Sequence, residues 1–201
     1  MNFLNRKQNK NNVLPGKFNK IILAGILTLS CSSAMALDTS FSFHKGDESK
    51  TKGLSVGLAD SFSKGSPWHW SLAYNTLDDV QVKWNNDELY FKNDTVDALV
   101  SYRYKLKSYN AFFKKMTIEY QFGASVALTE NKFFWQDLNE EKYFSEKNDI
   151  NAVLAIAAHY NVNKKTAVTF GIKHQPSFSE FGDISSIFLG INYTFGKAVG
   201  Y

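Results

Sequence analysis

Several long segments of this sequence alternate large apolar residues with small or polar ones at a period of two. From Met116 to Thr129 the set Met116, Ile118, Tyr120, Phe122, Ala124, Val126 and Leu128 falls on one face. Thr117, Glu119, Gln121, Gly123, Ser125, Ala127 and Thr129 fall on the other. A helix would repeat every 3.6 residues, so strict alternation over this length requires a strand with two chemically distinct faces. The same pattern sets Val96, Ala98, Val100, Tyr102, Tyr104 and Leu106 against Asp97, Leu99, Ser101, Arg103 and Lys105. It sets Leu54, Val56, Leu58 and Phe62 against Ser55, Gly57, Ala59 and Ser61, and Trp68, Trp70, Leu72 and Tyr74 against His69, Ser71, Ala73 and Asn75. Further segments near 37–44, 150–161, 166–175 and 185–195 bring the expectation to eight strands in an all-β fold. Most have about nine to twelve residues, the length a tilted strand needs to cross a bilayer.

The connections differ in kind along the chain. Ser63–Pro67, Lys107–Asn110 (extending to as far as Lys115) and Val162–Lys165 are short, whereas the segments near 45–52, 76–94, 130–149 and 176–184 are mostly longer and more polar. If short turns lie on one side and long loops on the other, both ends of the strand-bearing region fall on the short-turn side, as an even-stranded antiparallel up-and-down barrel requires. Eight strands enclose room for side chains only. The Leu, Val, Ile, Phe, Tyr and Trp face would overfill that lumen, while the Gly, Ala, Ser, Thr, Asn and charged face fits it. The bulky face is therefore expected to meet lipid, with every backbone N–H and C=O satisfied by closure. Trp68, Trp70, Tyr102, Tyr104, Tyr160 and Tyr193 are then candidates for interfacial aromatic girdles. A soluble ligand carrier or sandwich is the competing reading and would invert the two faces.

Charge decides where partners can be sought. Of 23 Lys+Arg, five (Arg6, Lys7, Lys10, Lys17 and Lys20) lie in residues 1–36, which hold no acid; 18 bases then face 19 acids, a net charge of −1 for the remainder. That balance does not support a nucleic-acid footprint. Residues 1–36 read as a cleaved signal peptide: a cationic stretch, the apolar run Ile21–Leu29, and the small residues Ala34-Met35-Ala36. The apolar run is too short to span a bilayer as a helix, which takes about 20 residues. The expected division is thus a leader over 1–36 and a barrel domain over 37–201, beginning at Leu37. Cys31 could take lipid, but Thr28 stands where such signals usually carry Leu. Without Cys31 the remaining chain has no thiol for a disulfide or thiolate metal site.

Gly190-Ile-Asn-Tyr193-Thr-Phe195 resembles the terminal signal of bacterial outer-membrane barrels, a Gly followed by two aromatics on one strand face. With the leader and the strand count, the chain resembles the small eight-stranded outer-membrane β-barrel proteins, the group containing OmpX, OmpW and the barrel domain of OmpA. That resemblance implies a bacterial outer-membrane location, contact with outer-membrane lipid and lipopolysaccharide, and insertion by the outer-membrane assembly machinery. Six residues, Gly196–Tyr201, follow the motif, and Tyr201 offers a second terminal aromatic.

The inward set holds Asp97, Arg103, Lys105, Glu119, Gln121, His159 and Lys173. Ions in a narrow lumen must pair, so a plug of salt bridges around Arg103 and Glu119 is expected, with a narrow pore for small solutes as the alternative. His44, His69 and His159 are scattered singly and read as lumen or rim residues. No phosphate loop or metal-ligand spacing stands out, so no catalytic, cofactor-binding or metal residue is assigned and no cofactor is expected. His174-Gln-Pro-Ser177 and Glu180 are similar to the His, Ser and acid of the outer-membrane lipid A deacylases, but that family's Ser position is held here by Pro176. His174 therefore reads as a rim residue of a non-enzyme. The loops are more informative. Val80–Trp84 and Glu88–Lys92 alternate around Asn85–Asp87, and Lys132–Trp135 and Lys142–Phe144 flank a second polar centre, so both loops read as hairpin ribbons. Thr76–Asp94 has five acids and two bases, and Glu130–Asp149 six acids and three bases, so each ribbon is −3. The function expected is a monomeric barrel with a structural or surface-interaction role, meeting an extracellular ligand through loops 76–94 and 130–149. Trp84, Phe91, Phe134, Trp135 and Phe144 are the aromatics offered to that partner, unless they pack on one another and hold the ribbons upright.

Overall fold

In the computed structural model, residues 37–46, 51–84, 87–135, 140–179 and 182–196 are described. The expected leader, the polar tips at 85–86 and 136–139, and Tyr201 lie outside them. The described residues form β1 (Asp38–Gly46), β2 (Lys52–Ser61), β3 (Trp68–Trp84), β4 (Asp87–Lys105), β5 (Met116–Ala127), β6 (Asn131–Trp135), β7 (Glu140–Ser145), β8 (Ile150–Asn161), β9 (Thr166–Ser179) and β10 (Gly182–Thr194). Eight of these close into one antiparallel barrel in the order β1-β10-β9-β8-β5-β4-β3-β2, while β6 and β7 form a separate two-stranded ribbon. The eight strands expected from alternation are the eight barrel strands.

Closure is carried by antiparallel ladders all round the ring, unbroken between β4 and β5 and between β1 and β10. Arg103 faces Glu119 and Asp97 faces Ser125 across β4 and β5, and β1 pairs with β10 from Asp38↔Thr194 to Gly46↔Ser186. The alternation then sorts side chains as the volume argument requires. Phe43 and Ile191 remain 60% and 56% exposed on the outer wall, whereas Asp97 and Glu119 are each only 2% exposed inside. Apolar outside and polar inside is the reverse of a water-soluble barrel, and it is the arrangement that lipid stabilises. One large apolar ring breaks the pattern: Phe188 turns inward and stacks on His44 with ring centroids 5.3 Å apart. Gly171, its partner across β9 and β10, makes the room, because a Cβ there would stand 2.5 Å from Phe188 Cζ and 2.6 Å from the Ile156 carbonyl.

The aromatic residues expected near strand ends gather at the short-turn end. Trp68 meets Tyr102 edge-on at 5.2 Å, and Tyr193 meets Phe195 at 4.8 Å. The connection after β4 is longer than a four-residue turn, running from 106 to 115 and ending in a 3-10 turn at Phe113–Lys115. A closed barrel has no edge to fray, so the protein in detergent should migrate differently on a gel before and after boiling. Identical mobility in both lanes would be incompatible with this closure.

Candidate functional site

Two places collect the residues singled out by sequence: the lumen and the loop end. In the lumen, Arg103 on β4 forms an ion pair through Nε with Glu119 Oε1 at 3.2 Å and donates from Nη1 to Asp38 Oδ2 at 2.7 Å. Glu119 also accepts from Ser101 Oγ and from His159 Nε2, each at 2.5 Å. Nδ1 of His159 lies 2.8 Å from Thr169 Oγ1 and 3.1 Å from Asn192 Nδ2, and Thr194 Oγ1 donates to Asp38 Oδ1 at 2.6 Å. The bonds run from β10 to β1, across the bore to β4 and β5, and on to His159 of β8, which meets both Thr169 of β9 and Asn192 of β10. Sequence reasoning anticipated the Arg103–Glu119 pair but missed Asp38 and the role of His159. The alternation did place His159 on the inward face; nothing local marked Asp38, which reaches Arg103 from 65 residues away.

Nearer the loop end a second pair crosses the lumen, with Lys173 Nζ donating to Asp97 Oδ2 at 2.5 Å. His44 lies between Ser42 Oγ and Ser186 Oγ, 3.2 Å from each, and His69 Nδ1 is 3.2 Å from the Pro67 carbonyl. His44 and His69 are thus ordinary lumen residues held by neighbouring polar groups. Among the described residues no group of three or more His, Cys, Asp or Glu side chains is arranged to hold a metal.

At the loop end β3 and β4 continue past the apolar wall as one hairpin, pairing from Val80↔Phe91 to Trp84↔Asp87 after a register shift between Leu77 and Val80. Asp79 takes a positive φ of 55° at that shift, and its carbonyl accepts from Thr51 Oγ1 at 2.9 Å. The second ribbon pairs Lys132 with Tyr143 and Trp135 with Glu140. Both hairpins follow the sequence expectation, but the aromatics divide. Phe91 and Phe144 are not offered to a partner: their rings stack 4.5 Å apart and 5° from parallel, and Phe144 closes a buried cluster with Leu77 and Val80, flanked by Ile184. Water drives these rings together because each ribbon alone is too thin to bury them. Asn131 Nδ2 donates to the Lys92 carbonyl at 2.8 Å, and Leu128 N to the Asp94 carbonyl at 2.8 Å, so the two ribbons form one head. The side chains of Trp84, Phe134 and Trp135 lie outside the described part. On the outside of the head, Lys132 donates to Glu141 at 3.0 Å and its Nζ sits 5.8 Å from the Tyr143 ring centroid. The Lys132 hydrogen bond holds the Glu141 carboxyl below its ordinary range; both groups are exposed, so the pair adds little stability.

His174 lies on the outer wall of β9, opposite Ser185 of β10. Its Nδ1 is 2.8 Å from Ser185 Oγ and 3.5 Å from Asp183 Oδ2. The Ser177 side chain and Glu180 lie outside the described part. A nucleophilic relay needs the serine on one ring nitrogen and the acid on the other, whereas Ser185 and Asp183 share Nδ1. Cross-strand pairing, which a spacing search along one strand cannot see, brings Ser185 to His174.

No protein-family model matches the chain, and no curated protein matches it. Solved structures do. The N-terminal β-barrel domain of Pseudomonas aeruginosa OprF superposes with a TM-score of 0.55 at 9% identity, covering 80% of this chain and 97% of that one. Neisserial surface protein A gives 0.50 at 10% identity, over 80% and 96%. Ail, the attachment invasion locus protein of Yersinia pestis, gives 0.49 at 13% identity, over 81% and 100%. With the polar lumen, the apolar outer wall and the closed β1–β10 seam, the chain has the fold of the eight-stranded antiparallel transmembrane β-barrels of bacterial outer membranes.

Proposed function

We propose that the protein is a monomeric outer-membrane barrel of a Gram-negative bacterium that acts at the cell surface by contact rather than by catalysis. Its head, built from loops 76–94 and 130–149, meets an extracellular ligand. The observation that carries this reading is the head itself. Hairpin connections need only two to five residues, yet here two ribbons extend beyond the bilayer and share a buried aromatic cluster, an organisation that holds their outer surfaces in fixed relation. Each of the two loops has a net charge of −3, which suits a basic partner and discourages unspecific sticking to anionic envelopes. The hydrogen-bonded ring across the lumen favours a structural interior over a solute path, and the shared Nδ1 contact at His174 offers no support for an acyl-ester hydrolase. Outer-membrane lipid and lipopolysaccharide surround the wall, and the outer-membrane assembly machinery inserts the chain.

Shortening residues 80–92 to a tight Asn-Gly turn, together with Phe144→Ser so that no ring is left uncovered, tests the contact role. The variant should insert and keep its heat-modifiable mobility while attachment of cells to host matrix falls to the level of a strain lacking the protein. Unchanged attachment with intact folding would leave a purely structural barrel. Lipid A mass analysis with and without the protein should show the same acyl chains; loss of an acyl chain would establish an enzyme. The leader is proposed to be removed after Ala36, so N-terminal sequencing of membrane-purified protein should begin at Leu37, and a start at Cys31 or Met1 would refute that.

A further inference from the structure

The short-turn end has a surface that neither the lumen nor the head accounts for. Its three turns, 62–67, 106–115 and 162–165, contain six lysines (Lys64, Lys107, Lys114, Lys115, Lys164 and Lys165) and no acid, and all six side chains are exposed. The opposite end carries the two acidic ribbons, so the barrel is electrically polar along its axis. The turn at 106–115 is also far longer than a connection between antiparallel neighbours needs. It is nonetheless well built: Asn110 Oδ1 accepts from Phe112 N at 2.8 Å, Lys114 N donates to the Asn110 carbonyl at 3.0 Å, and Asn161 Nδ2 donates to the Lys115 carbonyl at 2.9 Å.

Where the turn goes is the second observation. Phe112 stacks on Tyr160 with centroids 5.0 Å apart, and Lys115 Nζ stands 5.9 Å from the same ring. Tyr160 belongs to the outer wall of β8, in line with Leu154 and Ile156, so the turn folds back along the lipid-facing side instead of projecting away from it. Phe112 and Phe113 remain about half exposed and Tyr109 is wholly exposed. Three rings left open in water have no compensation, whereas rings flanked by lysines at the end of an apolar wall match the interface, where rings rest at headgroup depth and ammonium groups reach phosphates.

We propose that residues 106–115 form an interfacial foot that binds anionic phospholipid headgroups in the leaflet on the short-turn side, with Lys107, Lys114 and Lys115 as phosphate contacts and Tyr109, Phe112 and Phe113 as the inserted rings. Charge complementarity selects an anionic lipid over a zwitterionic one, and the fold of the turn back along the lipid-facing wall selects a lipid over a soluble polyanion.

The test uses the folded barrel in phosphatidylcholine vesicles containing a trace of spin-labelled phosphatidylglycerol or spin-labelled phosphatidylcholine, read as the motionally restricted fraction of each label. Phosphatidylglycerol should be favoured by about fivefold, the increment expected of one lysine near an anionic surface, and the preference should shrink at about 0.5 M salt. The triple change Lys107→Gln, Lys114→Gln and Lys115→Gln should abolish it, while Lys64→Gln, Lys164→Gln and Lys165→Gln together should leave most of it; heat-modifiable mobility verifies that each variant is folded. Equal restriction of the two lipids by the unaltered barrel, or a preference that survives the first triple change, overturns the proposal. So does lysine-dependent sedimentation with peptidoglycan without any lipid preference, which would assign the patch to the cell wall.

Discussion

Replacing Arg103 by Gln should lower the unfolding free energy of the barrel by about 3 to 5 kcal/mol, the usual cost of leaving a buried charge without its partner. Asp38 and Glu119 both point at this guanidinium, and Glu119 is only 2% exposed, so the change leaves two carboxylates facing each other in a lumen too narrow to hydrate them freely. Urea unfolding in phospholipid vesicles, followed by tryptophan fluorescence, measures the loss. Combining Arg103→Gln with Glu119→Gln should recover part of it, because the double variant has fewer ions to accommodate. If the double variant loses the sum of the two single losses, the side chains are not coupled and the network is not what holds this level of the barrel.

The upper pair should respond differently. Lys173→Met removes the cation from Asp97, which is 2% exposed and has one carboxylate oxygen, Oδ1, with no hydrogen-bond partner among the described residues, and should also cost about 3 to 5 kcal/mol. Here the ions are matched one to one. Asp97→Asn with Lys173→Met should therefore return most of the loss, since replacing an entire buried pair by neutral groups is often close to neutral. The same unfolding assay decides it. A double variant as unstable as Lys173→Met alone would mean that the pair performs a packing role that its charge does not explain.

Much of this fold was legible because the alternation is local. Each residue from Met116 to Ala127 carries its own indication of face, and the turn lengths then fix which strands are neighbours. The Arg103–Glu119 pair was legible for the same reason, since adjacent antiparallel strands joined by one turn can be aligned from sequence. Contacts across the lumen were not. Asp38 reaches Arg103, and His159 reaches Glu119, because the tilt and stagger of the closed sheet bring inward rows to the same depth, a property of the whole barrel and of no segment. The inward turn of Phe188 depends likewise on the missing side chain of Gly171 on the neighbouring strand. In the head, the pairing of Phe91 with Phe144 required knowing how two ribbons lean on each other. The shift at Leu77 and Val80 is marked only by Asp79, whose short polar side chain tolerates a positive φ.

The seam between β1 and β10 has a consequence in time. Its nine residue pairs, the Thr194–Asp38 bond, and the hydrogen bond from Phe195 N to the Leu37 carbonyl at 2.8 Å all join segments more than 135 residues apart. Bringing such distant ends together costs about 4 to 5 kcal/mol in chain entropy, and nothing along the seam repays that until β10 has been synthesised and delivered. Until then β1 and the growing end both present bare hydrogen-bonding edges, the state in which strands of different chains pair with one another. Folding of this protein is thus ordered by its own topology: hairpins joined by short turns can form early, and the ring can shut only when its final strand arrives. A chain stopped short of β10 would be left as an open sheet with two sticky margins and an ion network lacking Asn192 and Thr194.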